Sequence, residues 1–211
     1  MLIAEAVAGR WDIEAEFVAP DTEPVSDAPV FELAEGVLER AASTERPQPN
    51  LAVVRMPSSP ATLDDATLVL VADRLNDPGN LGTILRSSEA AGVDAVVLTP
   101  GSVDPYNPKV VRASAGALFH VPVVATSFDE VRAAGLTMVG TSSHQGSVHT
   151  DADWSGRIAI VMGSEAHGLP DAAPIDRWVR IEHRGRAESL NVAMAATLLV
   201  FQAAQARPSG S

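Results

Sequence analysis

From residue 66 onward, apolar positions arrive in short, largely β-branched runs separated by longer stretches at helical spacing. Runs at 68–72, 95–99, 121–124, 137–141, 158–162 and 178–181 predict strands, and the intervals 80–91, 108–118, 128–134 and 190–206 predict helices. Buried strands alternating with helices indicate an α/β fold, a parallel sheet with helices on both faces. Ligands of such sheets gather beyond the carboxyl ends of the strands. The segments after Asp73, Thr141, Met162 and Arg180 are therefore the ones to read for chemistry.

The first 56 residues have another texture. A helical piece at 3–8, a strand at 15–19, a Pro/Asp/Ser turn region at 20–29, a helix at 31–40 and a strand at 51–55 form a small α/β unit. The helix rests on Val30 and Phe31 ahead of Leu33, Val37 and Leu38. So abrupt a beginning leads us to expect a partial domain lacking its first strand and helix. Residues 57–66 read as a linker, 67–206 as the main domain, and 207–211 as a frayed tail.

Composition narrows the setting. There is no Cys, which excludes disulfides and Cys-based zinc sites. No apolar run reaches the roughly 18–20 residues of a membrane span. Met1–Arg10 lacks the basic flank of a signal peptide, so a cytoplasmic protein is expected. The net charge of −12 opposes a nucleic-acid partner, because phosphate binding is driven by clustered Lys and Arg. Its distribution softens the objection: residues 1–60 carry −7 and residues 61–211 only −5. Arg177, Arg180, Arg184 and Arg186 fall within ten residues, and Lys109 and Arg112 form a second group.

No G-x-G-x-x-G follows the first strand of the main domain, and no P-loop, G-x-S-x-G or H-E-x-x-H occurs. After the strand ending at Asp73, the turn Asn76-Asp-Pro-Gly79 leads to Asn80 as a candidate N-cap. Gly82, costly in a first helical turn, implies close approach of backbone or ligand, and Arg86 follows. After the strand 158–162 comes Gly163-Ser-Glu-Ala-His-Gly168, either a plain Gly-rich turn or a backbone cradle presenting Glu165. His167 reads as a loop residue, with no second ligand at metal spacing. After the strand 178–181, Ser189 or Glu188 starts an Ala-rich helix with Asn191 in its first turn. A buried Asn amide needs partners, so Asn191 has a structural or a catalytic task.

Together, Asn80-Leu-Gly-Thr-Ile-Leu-Arg86, Val161-Met-Gly-Ser-Glu165-Ala-His-Gly-Leu169 and Glu188-Ser-Leu-Asn191-Val resemble, in order, the three signature motifs of the SpoU/TrmH branch of the SPOUT RNA methyltransferases. The segment Pro105–Phe119 and the following Val121-Pro-Val are also similar to that family. The resemblance covers about 66–205 and extends more faintly through 1–56, which looks like the later part of a ribosomal-protein-like RNA-binding domain. It implies a C-terminal deep trefoil knot, a homodimer built around the knotted domain, S-adenosylmethionine as cofactor and no metal. By motif position, Gly163, Ile181 and Leu190 contact the cofactor through backbone, with Gly140 and Thr141 beside its adenosine. Asn80, Arg86, Glu165, Ser189 and Asn191 match the polar active-site positions.

The resemblance further implies methylation of a ribose 2′-hydroxyl in structured RNA, ribosomal RNA ahead of transfer RNA. A guanidinium with a pKa above about 12 resists service as a base, so Arg86 is expected to clamp a phosphate or the forming alkoxide, reaching across the dimer. Ser189 and Asn191 would position hydroxyl and cofactor, and Glu165 would orient a partner group. Lys109, Arg112, Arg184 and Arg186 would join Arg86 on the RNA. The chain departs from the family at Gly163-Ser164-Glu165, where Gly-Asn-Glu is frequent, and at Ile181-Glu182, where Ile-Pro is common. The competing readings are a transfer-RNA or non-RNA acceptor, or a cofactor- or RNA-binding protein without turnover.

Overall fold

The computed structural model describes residues 2–41, 47–57, 61–164, 167–186 and 189–207. The chain divides into two compact units, Met1–Pro60 and Ala61–Ser211.

The first unit contains α1 (Leu2–Ala8), β1 (Ile13–Val18), β2 (Val30–Glu32), α2 (Val37–Ala41) and β3 (Asn50–Val54). β1 is central, parallel to β2 and antiparallel to β3. The helix predicted over 31–40 is therefore wrong in its first half. Glu16-Phe17-Val18 pairs with Val30-Phe31-Glu32, and the Phe17 and Phe31 rings stack at 5.5 Å between centroids. Cross-strand aromatic contact overrides the helical spacing, and the helix starts only at Val37.

Glu16 is fully buried on β1 and fastens the 20–29 turn region. Its carboxylate accepts bonds from the Val25 amide (2.9 Å), the Ser26 amide (2.8 Å), the Ser26 hydroxyl (2.7 Å) and Asn50 Nδ2 (2.9 Å). Burial alone raises its pKa, but these four donors reverse the effect and hold it below the usual carboxylate range. A depressed pKa contributes stability above the unfolded value of about 4.3, and this is lost as pH falls through the lower folded value. Hydrogen exchange should show Val25 and Ser26 amides protected at neutral pH and released on acidification. In Glu16→Gln both should exchange faster at neutral pH, with a cost of about 1–3 kcal/mol; unchanged protection would remove Glu16 from this task.

The second unit contains β4 (Leu68–Ala72), α3 (Pro78–Ala91), β5 (Ala95–Leu98), α4 (Pro108–Ala113), β6 (Val123–Ala125), α5 (Phe128–Ala133), β7 (Thr137–Ser142), β8 (Ser147–Val148), β9 (Ile158–Met162), β10 (Arg177–Arg180) and α6 (Val192–Gln205). Its seven strands form one parallel sheet in the order β6-β5-β4-β9-β7-β10-β8. Period-two alternation sorts the strand residues between two cores. Leu68, Leu70, Val96, Leu98, Ile158 and Ile160 pack with α3, α4 and α6 on one face. Val69, Val71, Ala95, Val97, Ala159 and Val161 pack with Val131 of α5 on the other.

Three details differ from the sequence reading. The helix expected over 108–118 ends at Ala113, because Ala115 (φ 50°) and Gly116 (φ 104°) turn left-handed before a 3-10 turn at Ala117–Phe119. The two-residue strand β8 carries no signal of its own and exists by pairing with β10. Arg207, expected to fray, donates to Thr67 O (2.8 Å), Thr67 Oγ1 (3.1 Å) and Trp154 O (3.3 Å). Gly82 does mark a close approach, since a Cβ there would lie 2.3 Å from Ala113 Cβ on α4.

Because β10 lies between β7 and β8, residues 143–146 cross β10 before β8 forms. The chain leaving β10 then returns to α6, which packs on α3, β4 and β9. Among the described residues no helix is long and apolar enough to cross a membrane.

Candidate functional site

The carboxyl ends of β7, β9 and β10 and the first turns of α6 enclose a cavity of about 570 Å³. Its inner wall is apolar, with Met162, Val179, Val192, Ala195 and Leu199; the rest mixes Ile181 and Leu190 with polar Ser142, Ser143, Ser164, His167, His183, Ser189 and Asn191. That volume falls in the range of roughly 300–1,000 Å³ typical of small-molecule sites.

Two turns shape the cavity. After β9, Ser164 O accepts from the Gly168 amide at 2.9 Å, and Ser164 Oγ accepts from the His167 amide at 3.3 Å. The chain folds back so closely that a Cβ on Gly163 would stand 2.2 Å from Gly168 C and 2.3 Å from Leu169 N. Only glycine leaves that cradle open. Near the end of β7, Thr141 Oγ1 donates to Val161 O at 3.0 Å, which ties the two cavity-forming strand ends together.

Asn191 caps α6. Its Oδ1 accepts from the Ala193 amide (2.9 Å) and the Met194 amide (3.3 Å), so its Nδ2 faces away and donates to Asn80 Oδ1 at 3.0 Å. The amide orientation is thus fixed by the helix terminus. Asn191 therefore has a structural task as a cap, and the helix begins at Val192 rather than at 188–190. Asn80 is not the N-cap of α3, as the sequence suggested. Asp77 is, with Oδ1 accepting from the Asn80 amide at 2.7 Å and Pro78 in the first turn. The Asn80 side chain instead accepts from Asn191.

The loop before Asp77 is itself held. Asp73, 3% exposed, accepts from Thr99 Oγ1 at 2.7 Å, and that oxygen accepts from the Arg74 amide at 3.0 Å.

Of the candidates from sequence, Thr141, Gly163, Ile181, Ser189, Leu190 and Asn191 lie on the cavity wall. Gly140 does not: a Cβ there would meet Ile175 at 2.8 Å and Trp178 at 3.0 Å, so its smallness serves packing. Asn80 joins the site through Asn191. Arg86 is exposed on α3, away from the wall, with no hydrogen bond or ion pair to a described residue. Lys109 and Arg112 are exposed one turn apart on α4, and Arg184 and Arg186 are exposed after β10. Glu165 lies outside the described residues.

Sequence reasoning offered residues 163–168 as a cradle but passed over Ser142, Ser143, Met162, Val179, His183, Val192, Ala195 and Leu199, and took His167 for loop only. For Val179 and His183 a signal was available. Val179 lies in β10, and Ile181 and His183 continue its alternation past the last paired residue.

Residues 67–201 match the SpoU rRNA Methylase family. The chain is 36% identical to the 23S rRNA (guanosine(2553)-2′-O)-methyltransferase RlmP of Bacillus subtilis, over 95% of this chain and 84% of that protein. It is 34% identical to the 23S rRNA (uridine(2479)-2′-O)-methyltransferase of Streptomyces viridochromogenes, over 90% and 69%. Among solved structures, an AdoMet-bound rRNA methyltransferase from Sinorhizobium meliloti superposes with a TM-score of 0.85 at 31% identity, over 99% of this chain and 85% of that one. The SpoU methyltransferase AviRb from Streptomyces viridochromogenes in complex with AdoMet superposes at 0.83 and 30%, over 100% and 89%.

Proposed function

The chain belongs to the SpoU rRNA methylase family, and from that premise we propose that it is an S-adenosylmethionine-dependent methyltransferase acting on a ribose 2′-hydroxyl of RNA, ribosomal ahead of transfer RNA. The observation that carries this reading is the cavity, with its Gly163 cradle and with Asn191 on its wall held to Asn80. The fit to the cofactor is good: an apolar wall for the nucleoside, turn backbone kept bare by Gly163 and Gly168, and hydroxyls around them.

When bound, S-adenosylmethionine supplies an already activated sulfonium methyl, which leaves orientation and proton handling to the protein. Backbone at Gly163, Ile181 and Leu190 would hold the cofactor, with Thr141 beside it. Ser189 and Asn191 would orient the ribose hydroxyl, the latter with its amide already set by α6 and Asn80. Arg86 would clamp a phosphate or the developing alkoxide, and Glu165 would orient a neighbour in its loop. Lys109, Arg112, Arg184 and Arg186 would follow the RNA backbone. We read the return of the chain from β10 past residues 143–157 to α6 as the deep trefoil knot. We place the enzyme in the cytoplasm with its RNA.

We also propose a homodimer through the second unit. Met194 (59% exposed), Leu198 (46%) and Phe201 (38%) form one apolar stripe on α6, following the exposed Leu190. Met194→Glu with Phe201→Glu should convert a dimer to a monomer in sedimentation; a wild-type monomer, or a dimer untouched by both changes, overturns this.

The function itself is tested by radiolabelled methyl transfer to total ribosomal and transfer RNA, followed by nucleoside analysis. Label in a 2′-O-methylated nucleoside is expected, in the ribosomal pool. Label in a methylated base, or none in either pool, would overturn the reading.

A further inference from the structure

Methylation of a hydroxyl releases one proton per turnover, and the described side chains named so far do not accept it. Asn, Ser and Thr are not bases near neutrality, and the guanidinium of Arg86 stays charged. Among the described residues of the cavity wall, the only imidazoles are those of His167 and His183, and an imidazole nitrogen is the general-base atom enzymes use most often.

The two are placed differently. His167 is exposed on the Gly163–Gly168 turn. His183 ends an alternating series in which Val179, Ile181 and His183 all face the cavity while Glu182 and Arg184 are exposed. Val179 is 2% exposed and forms part of the inner wall; Ile181 and His183 are half-buried. The imidazole therefore marks the cavity mouth. A macromolecular acceptor cannot enter a space of about 570 Å³, so its hydroxyl must react at that mouth.

We infer that His183 accepts the proton of the ribose hydroxyl, an assignment that rests on the reaction proposed above. In the step, a ribose oxygen lone pair forms the new O–CH3 bond and the C–S bonding pair returns to sulfur. The O–H bond breaks and its proton passes to an imidazole nitrogen. Half-exposed, the imidazolium then returns that proton to water for the next turnover. The charged and titratable groups about it are His167 on the same cavity wall, Glu182 and Arg184 on either side along the chain, and Arg180 and Arg186 beyond them.

The test compares wild type, His183→Asn, His183→Ala and His167→Asn on total ribosomal RNA. Wild-type turnover should rise with pH to a plateau, with a midpoint matching the NMR titration of the His183 imidazole. His183→Asn should lose roughly a hundredfold in turnover and the midpoint, while cofactor affinity by calorimetry stays within about threefold of wild type. Added imidazole should partly restore His183→Ala. Turnover above a third of wild type in His183→Asn overturns the inference, as does a midpoint that disappears in His167→Asn instead. Loss of cofactor affinity in both His183 variants also overturns it, making His183 a cofactor-holding residue. A wild type that labels no RNA sinks the underlying reaction as well, and is thereby distinguished from failure of the His183 assignment alone.

Discussion

Arg86→Lys lowers turnover by about 10²–10³-fold, while thermal stability stays within about 0.5 kcal/mol of wild type. The stability half follows from exposure: Arg86 points to solvent from α3 and has no hydrogen bond or ion pair with a described residue. An unpartnered surface side chain contributes little to folding. The kinetic half follows from chemistry. A guanidinium offers a planar fork to a phosphate or alkoxide, and a Lys ammonium of the same charge cannot reproduce it. Cofactor affinity by calorimetry should not move, because Arg86 is absent from the cavity wall. Full turnover in Arg86→Lys would end its assignment as a clamp.

The same residue tests the proposed dimer. Arg86 and the cavity are separate on one chain, so a shared site across a two-fold axis would unite them. Arg86→Ala mixed with Asn191→Ala should then recover about a quarter of wild-type activity, from heterodimers with one intact site. Recovery would be absent if both residues act within one chain.

Gly163→Val is expected to weaken S-adenosylmethionine binding a hundredfold or more, approximately the upper end of overpacking costs of about 1–3 kcal/mol at 1.4 kcal/mol per tenfold. Even the Cβ alone would stand 2.2 Å from Gly168 C and 2.3 Å from Leu169 N, both backbone atoms that cannot rotate aside. Relief requires opening the turn that Ser164 closes through its carbonyl and hydroxyl oxygens. Gly163→Ala should lie between the two. Calorimetry decides, and affinity within threefold of wild type in the Val variant would mean that the cofactor does not use this turn. The sheet should survive, since β9 ends at Met162 and its paired residues are untouched.

Much of this was legible in the chain because it is local. A β-branched run such as 68–72 places alternate residues on opposite faces wherever it lies, so a two-faced sheet follows from period two alone. Glycines bracketing 163–168 and an Asn before an Ala-rich helix are signals of backbone geometry, which tertiary context adjusted but did not abolish. The errors fell where local pattern was ambiguous. Val30-Phe31-Glu32 suits a helix or an edge strand, and only the Phe17 ring settled it. Asn80 and Asp77 are both good caps, and the loop held by Asp73 and Thr99 selected Asp77.

The sequence by itself determined the alternating elements, the carboxyl-end loops where chemistry gathers, and the residue types in those loops. Tertiary structure alone decided that β9 lies between β4 and β7, that β10 lies between β7 and β8, and that Asn191 meets Asn80. It also decided which polar side chains share the cavity: His183 and Ser142 do, whereas Gly140 and Arg86 do not. The physical reason is that buried parallel strands are nearly interchangeable runs of Val, Ile, Leu and Ala. Their neighbours are chosen by the summed packing of distant segments, which no short stretch of sequence records.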